Sequence, residues 1–262
     1  MIVLPEFDKV AIQIGPLAVH WYGLTWMIGF LAAYWLMRIR GARTDPPWSS
    51  DAVGELVLFY SVLGALLGGR LGYVLFYGLE AWSEDLLWPL KIWQGGLSFH
   101  GGLLGVIAAM ALYGHRHRRN FWDIADTCAP AVPIALGSVR IGNFINGELP
   151  GRITDVPWGV VVEGQGAVAR HPSQLYQAFC EGVILWAVLW VYAGKPRKRG
   201  AVSAVFLMAY GTLRCFTEIF REPDAHIGFD LAGAVTRGQL LSIPLIILGA
   251  LLWWRAVRGR GI

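Results

Sequence analysis

Seven apolar runs punctuate the chain, near residues 17–37, 52–77, 97–114, 122–145, 175–194, 201–220 and 238–256. A helix needs roughly 20 mainly apolar residues to cross the hydrocarbon of a bilayer, and these runs are of that order. The third is short, and the fourth contains Pro130 and Pro133. Carbonyls freed by proline are tolerated at membrane depth only where a surrounding bundle satisfies them. The pattern predicts an all-α integral membrane protein: seven transmembrane helices forming a single polytopic membrane domain over residues 1–262.

The polar stretches between the runs are unequal. Those at 78–96, 146–174 and 221–237 are the longer ones and fall on the same side. The middle one, "NGELPGRITDVPWGVVVEGQGAVARHPSQ", is rich in Gly and Pro and contains the alternating stretch "WGVVV". It reads as a small extracytoplasmic cap of hairpin and loop. The two halves show no convincing repeat, and a separate soluble domain has no room.

Composition sharpens this picture. The 262 residues are 55% hydrophobic and 15% charged, with a mean hydropathy of +0.49. Soluble domains carry about a quarter charged residues, so this chain has too few to coat a water-facing surface. Thirteen tryptophans and nine tyrosines suit the aromatic belts of bilayer interfaces. Cys128, Cys180 and Cys215 all lie in apolar stretches without CxxC or His-paired spacing, and read as core residues. Neither a disulfide framework nor a metal site is expected. The start, "MIVLPEFDKV", shows no basic n-region or A-x-A-like cleavage signal, so no removable signal peptide is expected.

Placing the charges gives an orientation. Arg38, Arg40 and Arg43 follow the first run, Arg116, Arg118 and Arg119 the third, "KPRKR" from Lys195 the fifth, and Arg255, Arg258 and Arg260 the seventh: thirteen basic residues on one side. The other side has Lys9, Lys91, Arg152, Arg170, Arg221 and Arg237, spread over longer segments. The positive-inside rule puts the C-terminus in the cytoplasm and the N-terminus outside.

Of the 22 Lys and Arg, that leaves Arg70, Arg140 and Arg214 within or at the ends of the spans. An arginine at mid-helix costs about 2.5–3.5 kcal/mol on insertion scales, so each is a candidate for function facing the bundle interior. In "YGTLRCFTEIFRE", Tyr210, Arg214, Glu218 and Arg221 are spaced by four, four and three positions, which draws one polar stripe along a helix. An Arg214–Glu218 pair that neutralises itself is the plainer reading. It leaves Tyr210 and Arg221 on the same line unexplained, and two arginines, a carboxylate and a phenol suit a polyoxyanion.

A second stripe lies in "ALGSVRIGNFINGELPG". Arg140 and Asn143 are one turn apart, and Asn146 and Glu148 follow where the helix yields at Gly147. Mutual capping and pairing of Arg140 is the structural alternative. Both stripes belong to runs that lead toward the outer side. At the same depth, His100 stands between two glycine pairs in "WQGGLSFHGGLLG". Histidine suits proton transfer near neutral pH, which makes His100 the candidate base. Tyr22 in "HWYGL" fits either the same cavity or the aromatic belt. Arg70, which follows the packing motif formed by Gly64 and Gly68, reads as structural.

"SFHGG", "RIGNFINGE", "HPSQLY" and "YGTLRCFTEIFREPD", in this order within a seven-span chain, resemble the phosphatidylglycerol–prolipoprotein diacylglyceryl transferase family of bacteria. The resemblance runs from "WYGL" to the basic tail. Val139 departs from it where glycine is expected, Pro150 where an aromatic is common, and Gln177 where glutamate often follows "HPSQLY". The resemblance implies transfer of the diacylglyceryl group of phosphatidylglycerol to the lipobox cysteine thiol of a preprolipoprotein. The products are a thioether and glycerol phosphate, and the site lies on the periplasmic side of the inner membrane. It also implies that Arg140 and Arg214 are essential phosphate ligands. His100, Tyr22, Asn143, Glu148, Tyr210, Glu218 and Arg221 match other functional positions.

In that chemistry Glu218 and Glu148 are expected to orient the arginines, and Asn143 and Tyr210 to donate to glycerol or phosphate oxygens. The implied partners are phosphatidylglycerol, signal peptides with a lipobox cysteine and membrane lipid, without a cofactor, a metal or nucleic acid. A transporter for an anionic solute or lipid would also bury charge in a bundle. It usually shows paired repeats or broken helices near the midplane, whereas these charges gather toward one face. No serine–histidine or paired-aspartate arrangement points to an intramembrane protease.

Overall fold

The computed structural model describes residues 2–5, 7–15, 17–162, 166–223, 228–230 and 235–258. Arg260 of the basic tail, Asp224 of the sixth-run motif and residues 163–165 of the cap lie outside the described residues. The chain is mostly helical and divides into two compact units, Met1–Ala33 with Cys128–Ile262, and Tyr34–Thr127.

Each apolar run corresponds to helix. The helices are α1 (Trp21–Gly41), α2 (Ser50–Tyr77), α3 (Phe99–His117), α4 (Phe121–Cys128), α5 (Val132–Ile145), α6 (Ser173–Tyr192), α7 (Ala201–Phe220) and α8 (Arg237–Val257). Among the described residues α2, α6, α7 and α8 are long and apolar enough to cross a membrane, and α4 with α5 makes a fifth if the pair is one span. The fourth run breaks at 129–131, where Pro130 sits, and α5 restarts with Pro133 in its first turn, because proline lacks the amide hydrogen that an unbroken helix uses but the first turn does not need. Outward faces are apolar: Phe76, Val191 and Leu67 are largely exposed. A surface of that kind is suited to lipid rather than to water.

In the unit Tyr34–Thr127, α2 and α3 pack through glycine. A Cβ on Gly72 would stand 2.9 Å from Gly101 Cα, and one on Gly68 would stand 2.7 Å from Gly105 Cα. Small residues let two backbones approach where lipid offers no hydrophobic drive for association. Arg70 is buried here and donates to the carbonyls of Trp88, Pro89, Lys91, Gly95 and Gly96. Its structural reading stands: it gathers the chain between α2 and α3, where Gly95 and Gly96 turn with φ of 78° and 82°.

The other unit holds a core of Ala129, Leu185, Leu189 and Val202, against which Phe206, Tyr210 and Leu213 pack. Its small strands lie outside the helices. Residues 17–20, expected as the start of the first span, are instead strand β3 (Leu17–His20), paired antiparallel with β2 (Val10–Ile14). The alternating stretch of the cap does form a strand, β4 (Val160–Val162). Its partner is β1 (Ile2–Leu4), in parallel, with Val3 opposite Val161. The cap also has a local antiparallel bridge, Val160 to Arg170.

Candidate active site

The end of α5 carries Arg140 and Asn143 on one face, and Asn146 caps the helix. Gly147 turns the chain with φ 68°, as expected from its place in the sequence. The turn returns Glu148 toward the helix end. Its two carboxylate oxygens accept from Asn143 Nδ2 at 2.8 Å and Asn146 Nδ2 at 3.1 Å. Glu148, expected to orient the arginines, holds these two asparagines directly, and Asn143 Oδ1 in turn accepts from Arg140 Nη1 at 3.5 Å. Asn143 is buried and Glu148 exposed.

Arg140 turns to a different acid, Glu181 on α6, with Nη2 to Oε2 at 3.6 Å. Glu181 has no solvent exposure. It lies in a stretch of α6, Ala178–Ile184, wound as a π-helix, a distortion that often marks functional sites. Glycine brings the two helices together there: a Cβ on Gly137 would stand 3.0 Å from Gly182 Cα. Gly137 precedes Arg140 by three residues and Gly182 follows Glu181, so this close approach sets the Arg140–Glu181 pair.

The stripe on α7 meets the same carboxylate. Arg214 Nη1 donates to Glu181 Oε1 at 3.3 Å, and Thr217 Oγ1 donates to that oxygen at 3.0 Å. Glu218 then joins the two arginines of the stripe, at 2.8 Å from Arg214 Nη2 and 3.2 Å from Arg221 Nη1. The plainer reading of an Arg214–Glu218 pair is correct as far as it goes, but the pair is one of four links among five residues. Arg140, Glu181, Arg214, Glu218 and Arg221 form an alternating chain of three guanidinium groups and two carboxylates. Buried charges are normally matched, and one positive charge in excess suits a single anion. Tyr210 sits among these charges, one turn before Arg214, and its ring stacks on Phe206.

The remaining residues frame this chain. Tyr22 on α1 lies against α5 at Gly142, where a Cβ would stand 3.2 Å from its ring. The cap closes over the end of α7: Arg152 N donates to Phe220 O at 2.9 Å, and its Nε to Arg221 O at 3.0 Å. Arg170 pairs with Glu222. A pocket of about 210 Å³ adjoins the chain, lined by Glu218, Arg221, Thr236, Arg237 and Gly238 among others. All of these residues lie in one unit. His100 lies in the other, in the first turn of α3, with its ring edge-on to Phe99.

A family model described as prolipoprotein diacylglyceryl transferase matches residues 9–255. The chain belongs to the prolipoprotein diacylglyceryl transferase family. It is 51% identical to a phosphatidylglycerol–prolipoprotein diacylglyceryl transferase of Pseudoalteromonas atlantica, over 98% of this chain and 92% of the relative. A protein of the same name from Photobacterium profundum is 51% identical over 96% of this chain and 94% of its own length. Another, from Legionella pneumophila, is 48% identical over 97% and 99%.

For this diacylglyceryl transferase family member, the sequence reading missed Glu181. Its carboxylate stands in the middle of an apolar run, "FCEGVILW", and that alone marks it as costly. Glu181 has no cation three or four positions away on its own helix, so no local pattern marks its partners. Gln177, one turn before it, departs from the family pattern, in which glutamate often follows "HPSQLY". It is 1% exposed, and neither Nε2 nor Oε1 has a hydrogen-bond partner among the described residues. A buried polar group left in that condition costs about 1–3 kcal/mol.

Proposed function

We propose that the chain transfers the diacylglyceryl group of phosphatidylglycerol to the lipobox cysteine thiol of a preprolipoprotein. The sulfur forms a thioether with the terminal carbon of the diacylglyceryl group. The bond from that carbon to the phosphate oxygen breaks, and glycerol phosphate leaves with the oxygen. Negative charge therefore grows on the phosphate during the reaction. Positive groups fixed in a site poor in water stabilise such charge far better than groups in solution do.

The observation that carries this reading is the shared carboxylate. Arg140 and Arg214 come from two different helices and meet on Glu181, so both guanidinium groups are held together before any lipid arrives. In this reading they hold the phosphate, and Glu218 keeps Arg214 and Arg221 aligned. Asn143, Asn146, Glu148, Tyr22 and Tyr210 line the headgroup site. A free thiol titrates near pKa 8.5 and needs a base, for which His100 is the candidate.

The finer topology belongs to the same proposal. Seven spans, an external N-terminus, a cytoplasmic C-terminus and a site on the periplasmic face of the inner membrane are supported by helices at all seven apolar runs and by the uneven distribution of basic residues. The direct test is mass measurement of a lipobox peptide incubated with phosphatidylglycerol and the purified protein. The peptide is expected to gain one diacylglyceryl unit on its cysteine. A peptide of unchanged mass, with the protein folded and the lipid present, overturns the reading.

A further inference from the structure

One face of α6 is polar and buried along four positions: Ser173, Gln174, Gln177 and Glu181. Three of them are tied to the site already described. Ser173 Oγ donates to Leu149 O at 3.2 Å, and Gln174 Nε2 donates to Glu148 O at 2.5 Å. Glu181 holds Arg140 and Arg214. Gln177 lies between these anchors, one turn from Glu181, on the stretch of helix that runs from the Glu148 turn to the arginines.

The polar atoms without a hydrogen-bond partner around this stretch have a distinctive chemistry. Among the described residues they are Gln177 Oε1 and Nε2, Asn146 Oδ1, and Glu181 Oε2, which keeps its ion pair to Arg140 at 3.6 Å; Glu218 Oε2, paired with Arg214, and Trp186 Nε1, five positions beyond Glu181 on α6, are also without one. Of the four atoms on Gln177, Asn146 and Glu181, three are acceptors, so they call for donors. A phosphodiester offers none, because its oxygens only accept. An ammonium group donates but cannot satisfy Nε2, and it is repelled by the neighbouring arginines. A hydroxyl donates and accepts at once, as an amide side chain does.

We infer that Gln177 is the residue that reads the free hydroxyls of the headgroup, with Glu181 Oε2 and Asn146 Oδ1 as further acceptors, and so selects a polyol phosphate lipid. This rests on the proposal that Arg140 and Arg214 hold the phosphate of that headgroup. A site built to bond a hydroxyl discriminates strongly against a ligand lacking it, because its own buried groups are then left unmatched. Gln177 is thus a specificity residue that touches substrate without taking part in bond breaking.

The test uses the full chain in detergent micelles, a lipobox peptide, and two lipids: phosphatidylglycerol and phosphatidylpropanol, whose headgroup has no free hydroxyl. The wild-type protein is expected to favour phosphatidylglycerol in kcat/KM by at least about tenfold. Gln177→Met, which keeps the length and removes both polar atoms, is expected to bring that ratio within about twofold of one. The loss falls on phosphatidylglycerol, through a raised KM. Gln177→Glu, which keeps an acceptor, is expected to retain a preference. Thermal unfolding of Gln177→Met is expected at or above the wild-type temperature, since the side chain has no partner to lose.

A ratio unchanged in Gln177→Met overturns the inference, as does a fall in unfolding temperature with the preference intact. If Gln177→Met does not fold, loss of preference in Gln177→Glu overturns it in the same way. Arg140→Gln separates the two levels of the argument. Wild-type transfer from both lipids by that variant sinks the headgroup site itself. Loss of transfer there, beside an unchanged ratio in Gln177→Met, sinks only the reading of hydroxyls.

Discussion

Glu181 Oε1 lies 3.3 Å from Arg214 Nη1, in a position from which Glu181 has no access to solvent. The same carboxylate reaches Arg140 through its second oxygen, so one acid on α6 binds the cations of α5 and α7. Removing one partner of a buried charge network leaves the others uncompensated, at a cost of about 3–5 kcal/mol. Glu181→Gln is therefore expected to lower the unfolding temperature measurably and to cut transfer strongly, because the two arginines then repel each other. Glu181→Asp, which keeps the charge but shortens the reach, should fall between. Normal kcat/KM in Glu181→Gln would show that the arginines need no shared acid.

Arg140→Gln and Arg214→Gln each remove a donor aimed at growing negative charge. Losing one such donor in a preorganised site typically costs about 10²–10³ in kcat. Each variant is expected to lose transfer by at least that factor while still inserting and folding. Single-turnover rates with a lipobox peptide, beside a thermal melt of the same preparation, check both halves. Arg214→Gln should be the less stable of the two, since Arg214 contacts both Glu181 and Glu218, whereas among the described residues Arg140 pairs with the Glu181 carboxylate alone.

Gly238, at the start of α8, faces the Glu218 carboxylate. A Cβ there would stand 2.6 Å from Glu218 Cδ and within 2.8 Å of both its oxygens. Gly238→Ala must push that carboxylate away from Arg214 or Arg221. Overpacking of this kind costs about 1–3 kcal/mol. Transfer is expected to fall at least about tenfold, the equivalent of 1.4 kcal/mol in the barrier. Gly23→Ala, where a Cβ meets nothing within 4 Å, is the matched control and should transfer normally.

Arg70 is held by five backbone carbonyls, and its guanidinium lies 4.5 Å from the Trp88 ring centroid. Hydrogen bonds to a charged group contribute about 1.5–3 kcal/mol each, and not additively. Arg70→Met should destabilise the unit Tyr34–Thr127 by roughly 3 kcal/mol or more on that scale. Hydrogen exchange is the measurement: amides of residues 88–96 should lose protection ahead of the helices. Unchanged protection there would return Arg70 to the list of candidate lipid ligands.

The sequence by itself determined where the helices lie, because an apolar run long enough to cross a bilayer has few alternatives to intrahelical hydrogen bonding. It also determined that Arg140, Arg214, Glu218 and Arg221 are costly enough to need a reason, and that Gly147 ends α5. The spacing of Tyr210, Arg214, Glu218 and Arg221 was readable as one face, since i to i+4 neighbours share a face on any helix. Only the tertiary structure decided which charges meet. Glu181 lies 41 positions from Arg140 and 33 from Arg214, as the residue numbers show, and no local period links them. Their meeting depends on the Gly137–Gly182 approach and on the π-wound turn of α6, both properties of packing between helices. The pairing of β1 with β4 was hidden for a similar reason. Strands of three residues have too little alternation to read, and their register is set by the partner rather than by their own sequence.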